Sequence, residues 1–294
     1  LGRDQEPVNW IIADLIMFVC SVGVYVAVRK AALDKLPAQF NNLAMFAIPL
    51  IVFVIGDVFT KEKLGLTLSQ ALQILGTGVV LSYLGNAMSM RSIELAPNAG
   101  YSLIISKSYV VLTSFLAVPL FGARLTAVAL VSISLIIGAS ALIMINPKAA
   151  RHAKSAAWVP LALGSFFCWA FLSLMAKHLI AEGISTVVFL TYVFIVATVC
   201  ILIEMKYKKV DLSVVKKHIW PFVLIGIAST GFNFFNFYAV SIAPNVGYVN
   251  ATNAASIGAV TALSVILFKD ELTKQKLIGV TGVLIGLVAL FVWK

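Results

Sequence analysis

Charge is scarce in this sequence. Asp, Glu, Lys and Arg make up 12% of its 294 residues, about half the roughly 25% typical of soluble proteins. So few charged groups cannot cover a water-facing surface, which excludes an ordinary soluble domain. Cysteine and histidine are scarce too, three of each. Cys20, Cys168 and Cys200 lie inside apolar runs without metal-ligand spacing, and read as small packing residues. His152, His178 and His218 fall at loops or run ends. There is no Gly-rich phosphate loop followed by Lys-Ser/Thr and no Ser-His-Asp set. No cofactor, no metal and no enzymatic chemistry are therefore expected. The net charge of +10 invites nucleic acid or anionic lipid as a partner. The positive residues, however, sit in short loops between apolar runs, where Lys and Arg hold loops on the cytoplasmic side. No nucleic-acid partner is expected.

What the chain has is hydrophobic length. Hydrophobic residues make up 61% of it, gathered in runs near the roughly 20 residues that cross a hydrocarbon core of about 30 Å. Ten spans are read, at 9–28, 40–58, 70–92, 98–121, 126–146, 157–179, 186–204, 219–241, 245–268 and 275–293. Each must be helical, because lipid offers no partner to an unpaired strand backbone. The first run is longer than a signal-peptide core and has a counterpart later in the chain, so it reads as a span. The chain opens on Leu1 without an initiator Met, which reads as a trimmed or incomplete N-terminus. Pro37 precedes span 2, Pro97-Asn98 and Pro244-Asn245 open spans 4 and 9, and Asn146-Pro147 ends span 5. Pro49 and Pro119 lie within spans 2 and 4 and are expected to kink or loosen them. Trp10, Trp158, Trp220 and Trp293 fall at span ends and read as interfacial belt residues.

The chain repeats itself. Ala96-Pro97-Asn98-Ala99-Gly100-Tyr101 returns as Ala243-Pro244-Asn245-Val246-Gly247-Tyr248, shifted by 147. The same shift aligns Ser82 with Ser229, Asn86 with Asn233, Phe121 with Phe268 and Leu125-Thr126 with Leu272-Thr273. A shift of 148 aligns Trp10 with Trp158 and Cys20 with Cys168. Residues 1–147 and 148–294 thus read as two copies of one five-helix unit. Five is odd, so the second copy enters the membrane from the opposite side. The fold expected is an all-α integral membrane protein of ten transmembrane helices arranged as two inverted five-helix repeats. Halves related in this way can exchange conformations and open a central cavity to each side in turn.

Near the span ends, fifteen Lys and Arg fall in loops 1–2, 3–4, 5–6, 7–8 and 9–10, and six on the other side. By that count both termini lie outside the cytoplasm. Five of the fifteen come from one loop, Glu204 to His218.

Two five-helix halves in a chain of this length resemble the EamA-like ten-helix members of the drug/metabolite transporter superfamily. The stretch Ala243 to Trp293 carries the resemblance best. It runs from Ala-Pro-Asn into an apolar helix, then Leu267-Phe268-Lys269-Asp270-Glu271-Leu272-Thr273, then a last helix with Gly279, Gly282 and Gly286. Phe121-Gly122-Ala123-Arg124-Leu125-Thr126 is a weaker version of the same turn. The resemblance implies transport of small metabolites, often amino acids, through a cavity lined by spans 1, 3, 4, 6, 8 and 9. It also implies cytoplasmic termini, opposite to the charge count.

Lys107 is the residue most out of place. It lies in span 4, about nine residues or more from either end. That is about 14 Å of helix, beyond the reach of a snorkelling Lys stem. An ammonium at bilayer centre costs about 2.5–3.5 kcal/mol, so Lys107 should face the bundle interior or a wet cavity, as an anchor for an anionic group or as a proton carrier. Its repeat mate is Ala254, so the halves differ there. No carboxylate sits mid-span beside it. Asp14, a turn inside span 1, is the best candidate proton site; Asp57, Glu94 and Glu204 end their spans and read as interfacial. Asn86 and its mate Asn233 lie mid-span, with Asn236 one turn on; Asn250 and Asn253 share one face of span 9. Interhelical bonding and substrate contact both suit Asn86 and Asn233, whereas Asn250 and Asn253 lean toward the cavity. Tyr83, Trp169 and Phe237 are candidate walls. Tyr101 and Tyr248 open equivalent helices and suit gates. Gly76, Gly78 and Gly85 in span 3, with the glycines of span 10, suit close helix contacts.

Together these features point to a secondary active transporter of small metabolites, amino acids or related zwitterions first, working by alternating access in a plasma (inner) membrane. An organic anion exchanger and a non-transporting scaffold are the alternatives. The partners expected are a small-molecule substrate and membrane lipid, with the chain a monomer or a loose homodimer.

Overall fold

The structure is a computed structural model that describes residues 6–61, 64–96, 99–145, 155–210, 213–269 and 271–293. Pro97-Asn98, Asn146-Pro147, His152 and Asp270 lie outside the described residues, as do Arg3, Lys63, Lys148, Arg151, Lys154 and Lys294 of the charge count. Among the described residues, ten helices are long and apolar enough to span a membrane: α1 (Trp10–Leu33), α2 (Ala38–Thr60), α3 (Leu68–Leu95), α4 (Gly100–Phe121), α5 (Ala127–Met144), α6 (Trp158–Ala181), α7 (Thr186–Tyr207), α8 (Ile219–Ile242), α9 (Val246–Phe268) and α10 (Lys274–Val292). A short helix, Ser213–Lys217, precedes α8. The protein is an all-helical, multi-pass integral membrane protein.

The starts of these helices follow local chemistry. The Leu-Thr pair that recurs before α5 and α10 supplies an N-cap each time. Thr126 accepts from the Ala129 N–H at 3.1 Å, and Thr273 accepts from the Lys276 N–H at 3.3 Å. Ser185 caps α7 in the same way, and Thr67 with Gln70 forms a capping box on α3. Such caps satisfy N–H groups that lipid could not. The first helix runs further than hydropathy suggests, to Leu33, so Arg29 and Lys30 stand on helix α1 rather than in a loop.

The inverted repeat is written in the backbone. Among the described residues, six have left-handed backbone, and they form three repeat pairs. Lys35 (φ 59°) matches Gly183 (φ 95°), and Lys61 matches Lys209 (both φ 52°), at a shift of 148. Gly122 (φ 63°) matches Lys269 (φ 57°) at a shift of 147. Packing obeys the same exchange. α1 lies on α8 as α6 lies on α3, and α2, α4 and α5 each pair with their own mates α7, α9 and α10.

Two irregularities break the symmetry, both in the first repeat. Within α3, Thr77–Leu84 is a π-helix between α-helical ends, whereas α8 is α-helical throughout. An i→i+5 turn holds one residue more than an i→i+4 turn. The repeat register slips by one residue between Lys61 and Ser82, and the π segment lies in that interval. It is a physical seat for the extra residue. The second irregularity is in α4, where α-helix Ala99–Lys107 gives way to Tyr109–Phe121 at Ser108. α9 runs unbroken through the equivalent position, Ala255. The break lies at Ser108 and not at Pro119. Pro49 and Pro119 both stand inside helices assigned without interruption; Pro119 is two residues from its helix end, where few backbone bonds remain to lose.

α5 and α10 form a seam at one side of the bundle. A Cβ at Gly279 would come 2.5 Å from Ile143, and one at Gly286 2.8 Å from Ile136, so both glycines are needed for that approach. Gly78 and Gly85 likewise fit against Val196 and Cys168, but Gly76 meets nothing within 4 Å and is not a contact glycine.

Candidate functional site

A cavity of about 450 Å³ lies between the repeats. Its wall draws on α1, α3, α4, α6, α8 and α9, and also on α2 and α7 through Asn41, Phe46, Val193 and Phe194. The wider wall follows from the packing of α2 and α7 across the repeat boundary. The cavity reaches the membrane face where α1 ends, α2 begins and α3 ends, through Leu36, Ala38 and Glu94. Toward the other face its deepest residues include Asn236, Phe237 and Asn253. Phe237 is five residues from the end of α8, or about 8 Å, so that end is closed by packed helix.

Lys107 stands on this wall at the α4 break and is 8% exposed. Its Nζ lies 5.2 Å from the Trp169 ring centre and 5.4 Å from that of Tyr25. A desolvated cation–π contact contributes about 2 kcal/mol. Two such faces together are enough to offset the roughly 2.5–3.5 kcal/mol that the ammonium costs at membrane depth. Lys107 is thus held without a carboxylate. Among the described residues, the one carboxylate on the cavity wall, Glu94, is at the mouth and bonded to Arg91 at 2.7 Å. Tyr109, two residues on, stacks edge-on against Trp169 with ring centres 6.0 Å apart and donates to Asn250 Oδ1 at 3.3 Å. A cationic centre framed by aromatic faces suits a carboxylate or another small anion.

The residues singled out from the sequence divide into three places. Lys107, Asn86, Trp169, Asn233, Asn236, Phe237 and Asn253 line the cavity. Asn250 stands behind the wall, bonded to Tyr109, Ser173 and Thr113. Tyr83, Tyr101, Tyr248 and Asp14 are elsewhere. Tyr83 lies in the π segment and its hydroxyl donates to Glu204 at 3.1 Å; Glu204 also accepts from Lys208 at 2.6 Å. Asp14 is fully buried near the closed end. Asp57 is not interfacial: it is 4% exposed and accepts from Thr191 at 2.6 Å. Asn86 is held by Asn42 at 3.0 Å, and Asn233 by Ser229 one turn back. Tyr109 and Asn41 are wall residues that polarity and depth alone did not single out. Tyr109 is two residues from Lys107, and that proximity was the available signal.

Residues 156–292 match the model of the EamA-like transporter family. A solved crystal structure, identified only as that of a protein, has the same fold, with TM-score 0.80 over 96% of each chain at 12% identity. The family match falls on the second repeat, and the shared fold extends over both. Over residues 156–292 the chain is thus similar to EamA-like transporters. At 12% identity the solved structure speaks for the fold alone. No curated protein matches the chain.

The closed end is built where α4 ends and α9 begins. Asn245 caps α9 through Gly247 N–H at 2.8 Å, and its amide donates to the carbonyls of Ser114 at 3.2 Å and Arg124 at 3.3 Å. Tyr248 donates to the Arg124 carbonyl at 2.9 Å. Gly247 is needed here because a Cβ would collide with the Ser114 side chain. Lys177 on α6 donates to the carbonyls of Ala243 at 2.6 Å and Val240 at 3.3 Å, satisfying the end of α8. Trp10 packs on Tyr248 and Phe291 and is 1% exposed. It is a core residue of this end rather than a belt residue, because α10 and α9 cover it. Trp220 and Trp293 are largely exposed, as lipid-facing ends require.

Proposed function

We propose that this protein is a secondary active transporter that carries a small carboxylate-bearing metabolite, an amino acid or related zwitterion first, by alternating access through the Lys107 cavity. The observation that carries the reading is Lys107 itself: a buried ammonium on a cavity wall, framed by Trp169 and Tyr25, with no carboxylate beside it. A cargo carboxylate completes that charge, and the apolar and amide wall takes the rest. The cavity is open at one face and closed at the other, as one state of an alternating pair. An organic anion is the second reading, because the one carboxylate on the wall is at the mouth and bonded to Arg91. The site lies within one chain, so a monomer suffices and a loose homodimer is compatible. A plasma (inner) membrane is the setting proposed.

The test is a thermal-stability screen of small acids and amino acids on purified protein, run beside Lys107→Ala. A ligand that binds only the folded state raises its melting temperature. Stabilisation of the wild type that the variant loses is the expected result. Stabilisation by cationic or neutral compounds, indifferent to Lys107, would overturn the reading.

A further inference from the structure

The repeats differ at the seam between their first and third helices. In the first repeat that seam is α1 with α3, and the cavity mouth runs along it, past Leu36 on one side and Ile93 on the other. In the second repeat it is α6 with α8, which pack on one another. Among the described residues α1 and α3 have no comparable contact. The mates of Leu36 and Ile93 are Ile184 and Val240, 6% and 0% exposed. Residues that frame the mouth at one face are thus packed away at the other. A cation crosses the closed seam: Lys177 on α6 donates to the last carbonyls of α8, those of Val240 and Ala243. Its mate is Arg29 on α1, and the equivalent carbonyls are those of Ile93 and Ala96, where α3 ends. Arg29 donates to a different helix, bonding the Ser264 hydroxyl of α9 at 3.2 Å. Ser264 matches Ala117, so Lys177 has no hydroxyl in the corresponding place.

We propose that Arg29 is the bolt of the open face. When the α1–α3 seam closes, Arg29 leaves Ser264 and donates to the Ile93 and Ala96 carbonyls. Lys177 then releases those of Val240 and Ala243, and the α6–α8 seam becomes the second mouth. The proposal rests on the alternating-access reading but on neither the cargo nor Lys107. Inverted halves exchange conformations between states, so the contacts of one face forecast those of the other. A guanidinium carries donors and no acceptor, as an ammonium does, and can satisfy the carbonyls that end a helix equally well. Ser264 is the resting partner. By holding Arg29 off α3, its hydroxyl favours the state in which this face is open.

The experiment needs no ligand. A single cysteine replaces Val240 in the full chain freed of Cys20, Cys168 and Cys200, and its modification by a small water-soluble maleimide is timed. Its rate follows the population in which the α6–α8 seam is open. Ile184→Cys gives a second reading of the same seam should Val240→Cys not fold. Arg29→Met gives up one charged hydrogen bond in the resting state and two in the other, so it should slow modification by about tenfold. Ser264→Ala gives up a bond in the resting state alone and should speed it severalfold. Arg29→Lys, which keeps a charged donor, should stay close to the parent rate. Arg29 and Ser264 are partners in one bond at the opposite face. If that bond were merely structural, removing either partner would act in the same direction, or leave the far seam alone. Equal rates in the Arg29→Met and Ser264→Ala chains, or shifts of the same sign, overturn the bolt. If Lys177→Met speeds modification while Arg29→Met leaves it unchanged, the Arg29 bolt alone falls. If neither cysteine is modified in any of these folded variants, the second mouth does not open and the alternating-access reading falls with the bolt.

Discussion

Trp10 and Trp158 occupy equivalent places in the two repeats, and each packs on an equivalent tyrosine. Trp10 and Tyr248 have ring centres 6.3 Å apart; Tyr101 and Trp158 have theirs 6.4 Å apart. Cations are matched as well. Lys177 stands 5.8 Å from the Phe121 ring centre, and its mate Arg29 stands 5.1 Å from that of Phe268, the mate of Phe121. Because the repeats are inverted, the two sets lie at opposite membrane faces. Yet Trp10 and Tyr248 are buried, whereas Trp158 and Tyr101, at the open face, are half-buried. The ring pair and the cation are therefore common to both faces and do not by themselves close one. At the closed face Asn245 and Tyr248 also bond to the backbone, at the carbonyls of Ser114 within α4 and Arg124 just past its end.

The comparison makes quantitative demands. Trp10→Ala should be the most damaging change, at about 3–5 kcal/mol for a fully buried indole. Trp158→Ala should cost well under half of that. Denaturant unfolding in detergent measures both, and equal losses would break the comparison. Lys177→Met should come next, at about 1–3 kcal/mol, because it leaves the Ala243 and Val240 carbonyls without their donor. It should also loosen the closed face. A cysteine placed at Ala243, in a chain freed of Cys20, Cys168 and Cys200, should label faster in the Lys177→Met background. Unchanged labelling would show that Lys177 fastens a helix end without holding the face shut. Tyr248→Phe should have the smallest effect, about 1 kcal/mol for one hydrogen bond to a backbone carbonyl, read as a shift of the unfolding midpoint.

Much of the architecture can be read from hydropathy, because lipid permits only helices and each must be about 20 apolar residues long. The depth of Lys107 also follows from counting residues. Orientation around a helix axis is harder to read, and there the site departs from expectation. Tyr83 sits in the π segment, whose wider turn sets it against Glu204 instead of the cavity. The one-residue slip between shifts of 148 and 147 is the trace that segment leaves in the sequence. Asn86 and Asn233 are matched, but their partners differ. Asn86 reaches Asn42 on another helix and Asn233 reaches Ser229 on its own, which no spacing rule distinguishes. Asn41 lies in the first turn of α2 and reads as a helix-end residue. Its burial comes from α8 packing on α2, a long-range contact that local pattern does not carry.

Lys107 remains the point on which the functional account turns. Purified wild type and Lys107→Ala should be placed in liposomes and tested for counterflow of a radiolabelled acid that stabilises the wild type. The account predicts that Lys107→Ala, still folded, loses about tenfold to a hundredfold in transport at limiting substrate, the loss of one charge-assisted contact. Counterflow at the wild-type rate in a folded Lys107→Ala protein would contradict it.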